Sequence, residues 1–324
     1  MKRKKNTLTP SGGAYMLAGT NSRSSGVLQI HYVKLFLAPV LWGGALVAGR
    51  VIANELPPLT ITFLRFLWVS AFLLPVLYIK NRGFPRPTRK AALLLVLLSI
   101  TGVLMFNYFL FSGLQTVTAA RSSVIISFTP AFVALVSGLF FRERITPVMA
   151  LGMCAAFIGA VITITEGKLE VILRGGISVG DLFLLGCVLT WTVYSITAKY
   201  AMQDLTPLTV LTYGSVTGSV LLIPFAFSGG GLAGLSAQPI ETWLSLLYLS
   251  IGAAGIAYLF YYEGIKAVGA SRASIFLNLE PAAAITLGIL LLDEQLTLPV
   301  TLGAILVIGG LFLTNYRKRS SPPE

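Results

Sequence analysis

Charge, histidine and cysteine are all scarce in this chain. Only 11% of its 324 residues are charged, where a soluble domain carries about 25%, so most of its surface does not face water. One histidine, His31, and two cysteines, Cys154 and Cys187, leave no C-x-x-C, no metal-ligand spacing and no disulfide framework. The triple glycine Gly229–Gly231 lacks the Lys-Ser/Thr that would make it a phosphate-binding loop and reads as a flexible link. There is no Asp-x-x-Asp pair and no histidine cluster of the kind that holds metal and phosphate in an intramembrane transferase. The expectation is therefore a protein that is not an enzyme, with no catalytic residue, no metal ligand and no cofactor.

What the chain has instead is apolar length. Hydrophobic residues make up 55% of it, and a bilayer core needs about 20 of them in a row to be spanned by a helix. Ten segments qualify, at roughly 33–53, 58–80, 91–113, 119–141, 147–165, 178–199, 206–227, 241–263, 270–292 and 297–315. The expected fold is an all-α membrane protein. The formal charge of +12 does not point to nucleic acid, because the basic residues fall in short clusters between the apolar runs, as at Lys80, Arg82, Arg86, Arg89 and Lys90. Such clusters mark cytoplasmic loops beside anionic lipid. They place both termini in the cytoplasm of a multi-pass protein of the cell (inner) membrane. Residues 1–32 read as a flexible basic tail without the apolar core of a signal peptide, and residues 317–324 as a second tail. His31, with no carboxylate or second ligand near it in sequence, reads as an interfacial residue.

The chain also repeats itself. At an offset of 151, Ser99, Gly113, Arg121, Pro130, Glu143, Thr146, Gly152 and Gly159 match Ser250, Gly264, Arg272, Pro281, Glu294, Thr297, Gly303 and Gly310. At an offset of 149, Trp42, Arg50, Pro58 and Pro75 match Trp191, Lys199, Pro207 and Pro224. The unit is five helices used twice, over residues 33–166 and 177–316. Five is odd, so the second copy enters the membrane inverted, the arrangement of secondary carriers with a site near mid-membrane.

On these residues the chain resembles the EamA-type members of the drug/metabolite transporter superfamily, which carry two five-helix repeats. The resemblance rests on Trp42-Gly43, the PLTITFLRF run with Arg65, the start of helices 4 and 9 with Ala-x-Arg followed by Ser-Ser or Ala-Ser, the mid-helix Pro130 and Pro281, and the Glu143 and Glu294 closures. One departure is Gly214, which stands where the first copy has Arg65. The resemblance implies ten transmembrane helices as two inverted repeats and export of amino acids or related metabolites. Uptake or exchange of anionic or sugar-linked metabolites is the alternative, and a channel a third. The expected partners are a small-molecule substrate, membrane lipids and protons as a candidate coupling ion, in a monomer or homodimer.

Ionisable groups within a bilayer cost about 2.5–3.5 kcal/mol each and need a reason. Arg65 is read either as a cation facing a substrate carboxylate or as a structural cation that pairs locally or snorkels. Glu280, followed by Pro281 in helix 9, is read as a proton-linked or substrate-contacting acid, or as a structural acid paired with Arg65 or Arg50. Trp42, Asn107, Tyr108, Trp191, Tyr194, Tyr258 and Asn278 complete the candidate substrate surface, with Ser271 and Ser274 on the same helix-9 face as Asn278. Gly152, Ala155, Ala156 and Gly159 form a stripe for close helix packing. Glu143 and Glu294 read as caps at the two mouths.

Overall fold

The computed structural model describes residues 20–141, 145–168, 170, 177–227, 232, 235–268, 273 and 276–314. The expectations for Glu143, Ser271, Ser274 and Gly229–Gly231 fall outside these residues. Among the described residues the chain is helical without a strand. Eight helices are long and apolar enough to cross a membrane. They are α1 (Thr20–Ile52, its apolar part Gln29–Ile52), α2 (Pro58–Asn81), α3 (Arg89–Leu114), α4 (Ala119–Phe140), α5 (Pro147–Thr165), α6 (Val179–Ala201), α7 (Pro207–Phe227) and α8 (Ile240–Ile265). Two shorter apolar helices follow, α9 (Phe276–Leu292) and α10 (Leu298–Thr314). The first turns of α1 lie in the segment that the sequence assigns to the tail, because helix propagation from an established span is easy even through polar residues.

Local chemistry sets the ends. Prolines open α2, α5 and α7, where a missing N–H costs nothing. Thr88, Thr118, Thr146 and Ser178 cap the starts of α3 to α6 through their side-chain oxygens. Arg82, Glu166 and Asp293 end α2, α5 and α9 in the left-handed conformation, with φ of 53°, 53° and 52°.

The packing carries a pseudo-two-fold axis. Helix α1 packs on α8 and α9 of the second half, and α6 on α3 and α4 of the first, while α2 packs on α7 and α5 on α10. The two-fold is legible at single residues. A β-carbon at Gly152 would stand 2.5 Å from the Gly310 carbonyl oxygen, and one at Gly159 would stand 2.7 Å from that of Gly303. Each glycine thus meets the equivalent of the other, so α5 and α10 run antiparallel in a self-complementary interface. On the α2–α7 side the Ser70 and Ser219 hydroxyls lie 3.4 Å apart. They are equivalents at the offset of 149, and a residue that touches its own equivalent marks the axis. The halves are therefore inverted, and the sequence repeat is a structural one.

The axis also relates two distortions. Ser99–Met105 in α3 and Tyr248–Ile256 in α8 are π-helical, at the same position of each repeat. Such wide turns leave carbonyls without their usual partners and recur at functional sites.

Candidate functional site

Between the two π segments lies the one buried arginine among the described residues of the spans. Arg65 on α2 is 8% exposed. Its Nε donates to the Leu249 carbonyl of the α8 π segment at 3.2 Å, and a terminal nitrogen donates to Asn107 Oδ1 at 2.8 Å. Asn107, itself 2% exposed, donates from Nδ2 to the carbonyls of Gly102 and Val103, 3.0 and 2.9 Å away in the α3 π segment. The guanidinium therefore ties both distorted helices together. It does so with neutral oxygens only: no carboxylate lies within salt-bridge distance among the described residues. Of the readings open in the sequence, snorkelling is excluded by the burial, and pairing with Glu280 by the geometry. Arg50 turns instead to the Leu114 carbonyl.

An aromatic cluster adjoins the arginine. Tyr258 on α8 lies within electrostatic reach of Arg65, Glu280, Tyr194 and Tyr262. Trp42 on α1 packs edge-on against Tyr258 and Tyr261, ring centres 5.0 and 5.4 Å apart, while its indole N–H donates to the Ala253 carbonyl at 2.9 Å. Trp191 stacks with Tyr194 and Phe106 at 4.8 Å. Trp42 and Trp191 are themselves equivalents, so the cluster straddles the axis. The carbonyl of Glu280 abuts Gly43, where a β-carbon would stand 2.7 Å away; the acid thus lies beside Trp42, and it is half-buried.

Thr129, the counterpart of Glu280, clarifies that position. Pro130 leaves the Ile126 carbonyl without its helical donor, and the Thr129 hydroxyl donates to it at 2.5 Å. In α9 Pro281 frees the equivalent Leu277 carbonyl, and an acid stands where the threonine would be.

The structure brings together Trp42, Arg65, Asn107, Trp191, Tyr194, Tyr258 and Glu280. Asn278 is half-buried in the 3₁₀ turn that opens α9, two residues before Glu280. Tyr108 stands apart: it is 36% exposed on the outer surface, packed on Phe109 and Phe183. It follows Asn107 by one residue, and the helical rotation of about 100° turns it away from the cluster.

Three features escape the sequence reading. Tyr262, which is not among the candidate residues, packs on Tyr258. Gly214, the equivalent of Arg65, is buried yet has open space around its β-carbon position. The third is an ion cluster at the face where α1 ends, here the far face. Arg121 clasps Asp181 through Nε at 3.0 Å and a terminal nitrogen at 2.7 Å, and it reaches Glu166 at 2.6 Å. Asp181 is fully buried and also accepts from Ser178 Oγ at 2.6 Å. Its signal in sequence is Ser-x-x-Asp at a helix start, a capping box. A cavity of about 390 Å³ opens beside it, lined by Thr116, Thr118, Thr165 and these groups. Glu294 adds a second bond between the halves at this face, accepting from the backbone N–H groups of Ala119 and Ala120 at 2.7 and 2.9 Å. It caps α4 of the other half, not its own following helix.

The far face is tighter than the N-face, where α1 starts. Asn107, Leu110, Phe111 and Leu114 on the far half of α3 are buried, while their equivalents Tyr258, Tyr261, Tyr262 and Ile265 are half-buried. Likewise Ile125, Phe128 and Thr129 are buried and Phe276, Leu279 and Glu280 half-buried. The N-face is joined by the partly exposed pair Lys34–Glu263 at 2.6 Å, with Lys80 at 3.7 Å from the same acid.

Comparison with known proteins agrees with this architecture. The family model described as "EamA-like transporter family" matches residues 29–165 and again 178–316. An uncharacterized transporter of Archaeoglobus fulgidus is 30% identical over 89% of this chain and 99% of its own. The uncharacterized transporter YetK of Bacillus subtilis is 27% identical over 89% and 87%, and the uncharacterized inner membrane transporter YicL of Salmonella typhimurium is 23% identical over 89% and 95%. A solved crystal structure superposes with a TM-score of 0.60 at 20% identity, over 90% of this chain and 97% of that one, which speaks to the fold alone. With its two inverted five-helix repeats matched by the same model, this multi-pass membrane protein belongs to the EamA-like transporter family.

Proposed function

We propose that the chain is a secondary carrier that exports amino acids or related amphipathic metabolites across the cell inner membrane by alternating access. The observation that carries this reading is a buried guanidinium with no carboxylate partner among the described residues, set beside an aromatic cluster that straddles the pseudo-two-fold axis between the halves. Burying an unpaired charge is costly, and a substrate carboxylate at Arg65 offsets that cost. Trp42, Tyr258, Trp191 and Tyr194 supply apolar faces with polar edges for the rest of the molecule. Asn107 positions Arg65, and Asn278 and Glu280 border the site from α9.

Charge asymmetry in the loops supports cytoplasmic termini. In that orientation the far face is external. The tighter packing there suits a carrier waiting to load from the cytoplasm, as an exporter does. Glu280 is the candidate proton site. A protonated carboxyl could donate to the Leu277 carbonyl as Thr129 does to Ile126, whereas an ionised one could not, so occupancy by a proton and the local backbone are linked.

The test is counterflow in proteoliposomes loaded with an amino-acid mixture, with and without an imposed pH difference. Saturable exchange, lost in Arg65→Ala, is expected. Flux that neither saturates nor shows trans-stimulation would make the protein a channel, and exchange confined to carboxylate-free compounds would remove Arg65 from recognition.

A further inference from the structure

Gly214 is the equivalent of Arg65, and it is buried on α7 with nothing within 4 Å of its β-carbon position. The other buried glycines of the bundle behave differently: Gly102, Gly113, Gly218 and Gly255 each press a neighbouring side chain against that position. An unfilled buried glycine is an internal vacancy, and this one has the place an arginine would take under the two-fold. Its surroundings follow the same symmetry. Where Asn107 meets Arg65, the two-fold puts Tyr258 in the equivalent place relative to Gly214. Where Thr129 stands in the first half, the second has Glu280, within electrostatic reach of Tyr258. Tyr194, Tyr258 and Tyr262 interact with one another at this level, and their hydroxyls have no hydrogen-bond partner among the described residues. Tyr194 packs on a buried cluster that includes Val210, and Tyr258 and Tyr262 on one that includes Leu211, residues one turn before Gly214 on α7.

We propose that this vacancy is a cation subsite, and that the substrate's own ammonium or guanidinium fills the place of the missing arginine. Phenol oxygens, and a carboxylate with no cation partner among the described residues, are acceptors for such a group, and aromatic faces add cation–π attraction. An apolar group in the same place would leave those oxygens unpaired. The proposal rests on the carrier reading given above and narrows its substrate class. Arg65 and Gly214 each precede their axial serine, Ser70 or Ser219, by five residues on antiparallel helices, an axial separation of about 15 Å before either side chain's reach is counted. The carboxylate and α-ammonium of one amino acid are too close together to meet both. A substrate that does carries a carboxylate at one end and a cation at the end of a flexible chain, the chemistry of a basic amino acid.

The experiment compares radiolabelled arginine, its neutral isostere citrulline and its decarboxylated analogue agmatine in counterflow. The proteins are the wild type, Gly214→Ala, Gly214→Arg and Arg65→Ala. Arginine should exchange at least about tenfold faster than citrulline, an energy difference of about 1.4 kcal/mol. Gly214→Arg, whose side chain fills the niche, should abolish arginine exchange while eluting as a monodisperse species, and Gly214→Ala should weaken it. Agmatine should exchange weakly and be insensitive to Arg65→Ala. Citrulline exchanging as fast as arginine, or undiminished arginine exchange by either Gly214 variant, overturns the subsite. Exchange of neutral amino acids without arginine overturns it too, leaving the carrier reading intact. Exchange of no compound of any kind removes both.

Discussion

The far-face ion cluster offers a sharp test of what keeps one side of the carrier shut. Arg121 belongs to the first half and Asp181 to the second, and their two-point contact is the charged clasp between the halves at that face. The side chain of Asp181 is 0% exposed, that of Arg121 16% and that of Glu166 66%. Arg121→Gln leaves a fully buried carboxylate with a serine hydroxyl and no cation. Removing one partner of a buried pair costs about 3–5 kcal/mol, and the cost falls only on the closed state, since opening hydrates Asp181. At 1.4 kcal/mol per factor of ten, the closed population drops relative to the open one by roughly a hundred- to a few thousand-fold. Glu166→Gln touches an exposed contact worth under about 1 kcal/mol and should shift the balance by no more than about fivefold. Asp181→Asn added to Arg121→Gln removes the stranded charge and should recover most of the loss, the signature of pairwise coupling.

The assay is labelling of a cysteine at Val117, which is buried beside the clasp, by a membrane-impermeant maleimide. Cys154 and Cys187 are replaced by alanine beforehand. Labelling should be slow in the parent and in Glu166→Gln, fast in Arg121→Gln, and slow again in the double variant. Equal rates for Arg121→Gln and Glu166→Gln would refute the argument, because burial of Asp181 would then carry no energetic weight. So would a double variant as open as Arg121→Gln.

Other expectations are simpler to state. Gly303→Val should destabilise the α5–α10 interface by about 1–3 kcal/mol, read as a lowered melting temperature in detergent, because its β-carbon would meet the Gly159 carbonyl oxygen at 2.7 Å. Lys34→Gln should change the melting temperature little, since the Lys34–Glu263 pair is partly exposed and such pairs contribute under about 1 kcal/mol. Trp42→Ala should depress exchange strongly while Tyr108→Ala leaves it unchanged, a contrast set by which side of its helix each ring occupies.

Much of the fold was legible in the sequence because lipid imposes it: apolar length gives the spans, and a repeat of odd helix number gives the inversion. The small-residue stripe on α5 was legible for a similar reason, since Gly152, Ala156 and Gly159 are spaced to one face and only close packing explains them. The site was legible in part. Arg65 and Glu280 stand out because charge inside a membrane is expensive. Tyr108 was not separable from Asn107, because adjacency in sequence says nothing of helical phase without knowing where the lumen lies. Asp181 was hidden within an ordinary helix start, and its burial follows only from Arg121 arriving out of another helix. The partner of Glu294 was hidden for the same reason. Glu294 reads as serving the helix that follows it, whereas the two-fold brings the start of α4 from the other half closer.

The residues that escape the symmetry are the ones that the proposed reading assigns to the substrate. Where a position only packs, the two copies agree: glycine faces glycine between α5 and α10, and serine faces serine between α2 and α7. Where a position meets the lumen, they diverge: Arg65 against Gly214, Asn107 against Tyr258, Thr129 against Glu280. Packing at a two-fold interface constrains both copies alike, because each residue is its equivalent's environment. A substrate with unlike ends breaks that constraint, since one end must be met by a cation and the other by an acid. The same inequality runs through the gates, with a buried clasp at the far face and an exposed pair at the N-face. A carrier whose halves were alike in these places would hold both faces equally well and bind a symmetric molecule. On the proposed reading, this one distinguishes the ends of its cargo and rests with its far face shut.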